Sequence, residues 1–319
     1  MTSVQPAYRA PRRLGGGIPP DRSRQIARHE RGRALRATAF IATALAVIIA
    51  FVFLPAFSAL RLSFTDASGF GEESWIGLDN YVAVFTDPAT LRAIWNTVGY
   101  AVMYGPLVIA VGLGAALLLN RKDVPLRSFF RTIIFLPFVI SMAVASLAWA
   151  FLLDPNLGLI PYWLGKVGIQ MGDIFASTTW ALPAVTAVAI WKNFGYFMVI
   201  FLAGLQGIPR YLYEAAILDG AGAWRQFRAV TMPGLRATMT FVIVFAIIGA
   251  FQAFDQIYIM TQGGPDRATE TIVYRIYTDG FRDFRMGFAS ALSYVLLVIT
   301  LALGLIQLRI GAKREKDLE

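Results

Sequence analysis

Two short groups of polar side chains interrupt apolar stretches of this chain. One holds Trp191, Lys192, Asn193 and Tyr196, and the other holds Gln252, Asp255 and Gln256. In hydrocarbon, a charge or amide is costly and tends to face a cavity or another polar group. Tyr196 lies one turn beyond Lys192 on the same helix face, and Gln252, Asp255 and Gln256 at i, i+3 and i+4 form one polar face of a continuous helix. Amides, a carboxylate, an ammonium and aromatic rings at mid-depth suit a passage for a hydroxylated solute. They equally suit bonding between neighbouring helices, and Lys192 reaches Asp255 if it extends outward. Trp191, Lys192, Asn193, Tyr196, Gln252 and Asp255 are the candidate passage residues, with both readings open.

Covalent chemistry finds little support. No G-x-x-x-x-G-K-[ST] phosphate loop occurs, so the chain has no evident means to bind ATP in that way. With no cysteine and His29 as the one histidine, thiol catalysis, a Ser/His/Asp set and a Cys/His metal cluster are excluded. No carboxylates pair within an apolar stretch. The chain reads as non-catalytic, with no metal and no cofactor of its own.

The elements that must position these residues are membrane helices. The chain has 319 residues, of which 57% are hydrophobic and 15% charged; soluble domains average about 25% charged. Six apolar runs, at about 37–60, 93–119, 132–153, 181–205, 237–260 and 287–310, each approach the ~20 residues needed to cross a bilayer. They are long and continuous rather than alternating, which argues against membrane strands. Prolines 55, 106, 137 and 183 predict kinks that leave the count of spans unchanged, and no inverted repeat with broken midplane helices is visible. The expected organisation is a disordered basic tail over 1–36, a six-span domain over 37–310 and a short C-terminal tail over 311–319.

The net charge of +9 sits in tails and loops, so it speaks to membrane orientation and lipid contact rather than nucleic acid. Lysine and arginine concentrate in 1–36, in 121–131, in 206–236 and after residue 308, and are sparser in the alternate loops. By the positive-inside rule, both termini and the 206–236 connector are cytoplasmic. Opposite them, 61–92 contains the turn-like W-I-G-L-D-N-Y, 154–180 carries Tyr162, Trp163 and Trp180 at headgroup level, and 261–286 opens with the turn T-Q-G-G-P.

The connector over 206–236 is too long for a plain loop. Pro209 and the E-A-A of Glu214, Ala215 and Ala216 predict a short helix, and Asp219-Gly220 a turn. Helical character resumes at Ala223, with Trp224, Phe227 and Val230 spaced three apart on one face, and Pro233-Gly234 closes it. Acidic Glu214 and Asp219 disfavour anionic lipid, so two short helices around a small-residue elbow read as a socket for another protein.

The spacing E-A-A-I-L-D-G-A followed by F-R-A-V-T-M-P resembles the cytoplasmic signature of ABC importer permeases, in particular the maltose-type sugar permeases. The similarity runs from about 50 to 310. It is supported by L-P-A-F-S-A-L-R-L-S-F-T at 54–65, G-L-D-N-Y at 77–81, F-R-T-I-I-F-L-P at 130–137, L-A-G-L-Q-G-I-P at 202–209 and T-Q-G-G-P-D-R-A-T-E-T at 261–271. Met232 stands where the family usually has leucine, a volume-conserving swap, and Ala237-Thr238 where it often has proline. The resemblance implies an all-α, six-span permease subunit in the inner membrane. Its partners would be a second permease subunit in a heterodimer, two ATPase subunits that hold ATP and Mg, and an extracytoplasmic sugar-binding protein. Glu214, Ala215, Ala216, Asp219, Gly220, Trp224 and Phe227 would dock the ATPase subunit, and the chain matches the first maltose-type permease better than its usual partner. Alternatives on the same residues are an importer of a polyol or glycerol phosphate ester, and a secondary transporter that needs no ATP.

Overall fold

The computed structural model describes residues 38, 40–69, 71–121 and 123–316; the basic tail over 1–36 lies outside them. The described residues are helical apart from turns, loops and one isolated antiparallel bridge, Thr65 to Trp75. Five helices are long and apolar enough to cross a membrane, or six if one sharply bent pair counts as a single span.

The chain divides between Ser58 and Ala59. The first unit contributes most of α1 (Phe40–Leu62), which widens into one π-helical turn over Ile49–Phe53. The rest contains α2 (Asp79–Thr86), α3 (Pro88–Asn120), α4 (Arg127–Val139), α5 (Met142–Leu152), α6 (Leu159–Lys166) and α7 (Ala181–Gly207). Then follow α8 (Arg210–Leu218), α9 (Ala223–Gln226), α10 (Arg236–Phe251), α11 (Asp255–Met260), α12 (Ile272–Tyr277) and α13 (Met286–Lys316). The last helix thus runs past residue 310, where the apolar run ends.

The core forms where α3, α7 and α10 meet. Tyr100, Val108, Met198, Phe201 and Val242 are buried together there, while Val102, Leu118, Phe241 and Phe245 stay exposed, as lipid or partner contact requires. Because lipid is as apolar as leucine, close packing rather than water exclusion joins such helices, and small residues let the backbones approach. Gly112 admits the Phe194 carbonyl and Phe197, Gly195 admits the Ile134 carbonyl, and Gly204 admits Thr238.

Two apolar runs are not continuous helices. In the third, α4 and α5 meet at a bend of 97°, the geometry of a broken span or a re-entrant loop. Ile140 is extended, and Ser141 starts a new helix by accepting from the Val144 amide at 3.2 Å. Pro137 removes a backbone donor from the last turn of α4, and a serine able to cap a helix follows directly. The fifth run is also interrupted, at Gln252–Phe254, where Phe254 leaves the helical region at φ −137°, ψ −63°. Asp255 then opens α11 as an acidic first-turn residue, which suits the positive end of a helix.

The loops opposite the 206–236 connector are bonded structures. Trp75 stacks on Phe64 at 5.3 Å, and Asn80 donates to the carbonyls of Ser63 and Thr65 at 3.0 and 2.8 Å, so W-I-G-L-D-N-Y folds back on the end of α1. In the T-Q-G-G-P turn, the Gly264 amide reaches the Thr261 carbonyl at 2.9 Å, and Thr269 donates to the Gly264 carbonyl at 2.8 Å. Buried Arg275 then ties the loop to the start of α3. It meets Asp279 at 2.6 Å, Glu270 at 3.3 Å and Asp87 at 3.4 Å. Burial pushes the Asp279 carboxyl above the usual carboxylate range, against the pull of Arg275 and Arg285. Burial also works on Asp87, but the Thr90 bonds and Arg275 outweigh it and hold that carboxyl low.

Candidate functional site

A cavity of ≈ 430 Å³ opens beside both helix breaks, between α3, α7, the α4–α5 corner and the α10–α11 junction. Asn193, Tyr196, Gln252 and Asp255 all line it. The interrupted helix places these last two differently from a regular spiral. Gln252 caps the end of α10, Asp255 begins α11, and both are exposed to the cavity side. Gln256 is more buried but lines the cavity too, and it donates its Nε2 to the Tyr100 hydroxyl at 2.9 Å. Gln252, Asp255 and Gln256 therefore share one cavity, as a common polar face implies, but a helix break and not one regular spiral brings them there.

The other two candidates are elsewhere. Trp191 packs edge-on against Trp149 of α5, with ring centroids 5.3 Å apart, and does not line the cavity. Lys192 is buried, and it forms no ion pair with Asp255. Its Nζ donates instead to the Phe138 carbonyl at 3.3 Å and lies 5.0 Å from the centre of the Phe138 ring. The carbonyl at the broken end of α4 is the acceptor within hydrogen-bond reach.

Several wall residues escape a reading of the sequence alone. Tyr100 and Tyr104, one turn apart on α3, stack at 5.7 Å, and both line the cavity with Asn193. Phe138 stacks on Tyr196 with centroids 4.5 Å apart and planes inclined by 13°, and Met142 and Phe245 complete the wall. The i, i+4 tyrosines were visible as a pair, but their partners come from two other helices. The lining combines flat aromatic faces with amides and hydroxyls, has one carboxylate, and contains neither lysine nor arginine. Such a surface offers apolar faces to the C–H side of a polyhydroxylated ring and directional bonds to its hydroxyls. Among the described residues no group of acidic or histidine side chains is placed to hold a metal.

At the far end of α7, residues 206–236 form α8, a turn, and a second helical run made of α9, the π-helical Phe227–Thr231 and Met232–Gly234. Gly220 takes φ +71°, a backbone state that glycine adopts without strain. The two runs are pinned by the Tyr213 hydroxyl against Thr231 Oγ1 at 3.0 Å and by Gln226 donating to the Ala221 carbonyl at 2.7 Å. Val230 packs on the main core, so this unit is attached to the spans rather than hanging from them. Glu214, Ala215, Asp219, Gly220 and Trp224 are exposed, Ala216 and Phe227 half-buried, and Trp224 stacks on Phe227 at 5.5 Å.

Residues 108–315 match the family described as binding-protein-dependent transport system inner membrane component. The chain is 38% identical over 276 residues to the probable ABC transporter permease protein YurN of Bacillus subtilis, covering 82% of this chain and 91% of that protein. It is 37% identical to the sn-glycerol-3-phosphate transport system permease protein UgpA of Agrobacterium fabrum, over 86% and 94% of the two chains. With the diacetylchitobiose uptake system permease protein NgcF of Streptomyces coelicolor it shares 35% identity over 82% and 78%. Its fold is that of a chain in a bacterial alginate ABC transporter solved in complex with an alginate pentasaccharide-bound periplasmic protein. That likeness has a TM-score of 0.76 at 23% identity and covers 88% of this chain and 94% of that one.

Proposed function

The chain belongs to the binding-protein-dependent transport system inner membrane components, and from that membership we propose that it is the permease subunit of an ATP-driven importer for a sugar or oligosaccharide. The cavity carries this reading, because its wall of tyrosines, phenylalanines, Asn193 and Gln252 suits a neutral polyhydroxylated solute. A second permease subunit would complete the passage, two ATPase subunits would bind ATP and Mg, and an extracytoplasmic binding protein would deliver the solute. Both termini and the α8–α9 unit face the cytoplasm in this reading, as the distribution of lysine and arginine supports. The α8–α9 unit is the docking element, and Glu214, Ala215, Ala216, Asp219, Gly220, Trp224 and Phe227 are its contact residues. The bonded loops at the other end then face the binding protein.

A glycerol phosphate ester is the second reading, favoured by relatives such as UgpA that are named for such transport. A phosphate in a pore calls for arginine or lysine on the wall. The cavity has neither, and its one ionisable carboxylate, Asp255, repels an anion. This supports the neutral sugar.

Reconstitution separates the classes. The chain alone in liposomes should move no solute, while liposomes with the second permease, the ATPase and the binding protein should take up sugar only with ATP. Solute flux through the chain alone would sink the proposal in favour of a secondary transporter. Within the complete assembly, Tyr196→Ala and Gln252→Leu should each lower uptake several-fold, since a lost hydrogen bond or ring contact is worth about 1 kcal/mol. Unchanged uptake kinetics in both would make these residues packing only.

A further inference from the structure

We propose that Lys192 is a positioning residue that caps the broken end of α4 and thereby fixes the aromatic wall of the cavity. A helix leaves its last four carbonyls without partners, and inside a membrane no water is at hand to satisfy them. The helix α4 ends at Val139, Ile140 is extended, and α5 departs at 97°. The last-turn carbonyls of α4 therefore lose the donors that a continuous helix would supply. Lys192, on α7, donates to one of them, Phe138, at 3.3 Å. A lysine near a helix C-terminus bonds the terminal carbonyls and complements the negative end of the helix dipole. Its charge is further accommodated by the Phe138 ring, 5.0 Å away, as a cation over an aromatic face.

The same device occurs at a neighbouring helix end. Arg131 of α4 donates Nη2 to the Leu119 carbonyl at the end of α3, at 2.8 Å. A cation from another, packed helix thus serves a terminal carbonyl at both places. At Lys192 the consequence reaches the cavity. The carbonyl and the ring belong to one residue, so holding the Phe138 carbonyl also holds its ring against Tyr196 at 4.5 Å. Met142, the first residue of α5, lines the cavity just beyond the corner. Lys192 therefore acts on the solute through Phe138 and the α4–α5 corner, without touching the passage.

The chain has no cysteine, so Met142→Cys gives it a single thiol, at the corner, read in the assembled transporter by the rate at which this chain is labelled with a small maleimide. Adding Lys192→Met should raise that rate at least threefold and lower sugar uptake at least tenfold, and Lys192→Arg should return both to within about twofold of the parent. An unchanged labelling rate in Lys192→Met overturns the proposal, whatever happens to uptake, because a lysine that simply contacts solute would alter uptake alone. Failure of Lys192→Arg to restore the labelling rate overturns it as well, marking the site as plain packing. If Lys192→Met does not assemble, Lys192→Gln, which keeps a donor without the charge, decides in the same way. Labelling near the parent rate upholds the cap, and labelling raised threefold or loss of assembly overturns it. The uptake arm rests on the cavity being the sugar passage; the labelling arm does not, so failure of that reading is distinguishable from failure of this one.

Discussion

Glu214→Lys is expected to abolish ATP-driven uptake while leaving the chain inserted and folded. Glu214 is exposed on α8, and among the described residues it makes no ion pair within the chain, so reversing its charge removes nothing that holds the fold. The stability of the α8–α9 unit resides elsewhere, in Tyr213 on Thr231, Gln226 on Ala221 and Val230 on the core. On the proposed docking role, what the substitution removes is an acidic group offered to the ATPase subunit. Losing one partner of a desolvated charge pair costs about 2–5 kcal/mol, or some tens- to thousands-fold in affinity, and a lysine in its place adds repulsion. Membrane fractionation should show normal amounts of Glu214→Lys chain, while co-purification of the ATPase and uptake both fall to background. Normal co-purification with normal uptake would remove Glu214 from the interface. Loss of the chain from the membrane would show that Glu214 supports folding and not docking.

A docking element matters only if its motion reaches the cavity, and the attachment of this one is continuous. Helix α8 follows α7 after two residues, and α10 follows the second helical run at Leu235, which is fully buried. The passage candidates Asn193 and Tyr196 are on α7, and Gln252 caps α10. A force applied at α8 and α9 therefore reaches both walls of the cavity through two rigid helices. The breaks at Ile140–Ser141 and Gln252–Phe254 lie at the cavity itself, where a change of helix direction alters the wall and leaves each half-helix intact.

How much of this was legible in the sequence depends on the range of the interaction that decides it. Length and continuous apolarity locate the spans, because a bilayer imposes them locally. The breaks were overlooked, although each carries a local mark. Ser141 in the run F-V-I-S-M-A and Asp255 in A-F-D-Q-I are both residues that start helices, placed where an uninterrupted span has no use for one. As polar groups in hydrocarbon, Asp255 and Gln252 point to a shared surface, which the cavity bears out, but not to the helix break that forms it. Lys192 shows the opposite limit. Its cost in hydrocarbon is plain from position, but its acceptor is a backbone carbonyl 54 residues away, freed by a bend that no periodicity announces. Arg275 and Asp87, 188 residues apart, are likewise paired only by the packing of α12 against the start of α3.

Replacing Gly195 tests the packing on which the cavity depends, and its expected effect on folding is large. An added Cβ at this position would lie 2.1 Å from the Ile134 carbonyl oxygen and 2.8 Å from its carbon. The obstacle is backbone, so no side-chain rotation relieves it, and α4 must move away from α7. Overpacking of this kind costs about 1–3 kcal/mol and occasionally more. Here the displacement would also pull the Phe138 carbonyl from Lys192 and the Phe138 ring from Tyr196. Gly195→Ala should lower the thermal midpoint of the detergent-solubilised complex by several degrees, and Gly195→Val should prevent its assembly. Gly99 provides the control, since an added Cβ there meets nothing within 4 Å and alanine favours the helix over glycine; Gly99→Ala should leave the midpoint at or above that of the parent. If Gly195→Val assembles with a midpoint equal to the control, α4 and α7 are not held at this distance in the membrane, and the cavity wall that Tyr196 and Phe138 share must be formed in some other way.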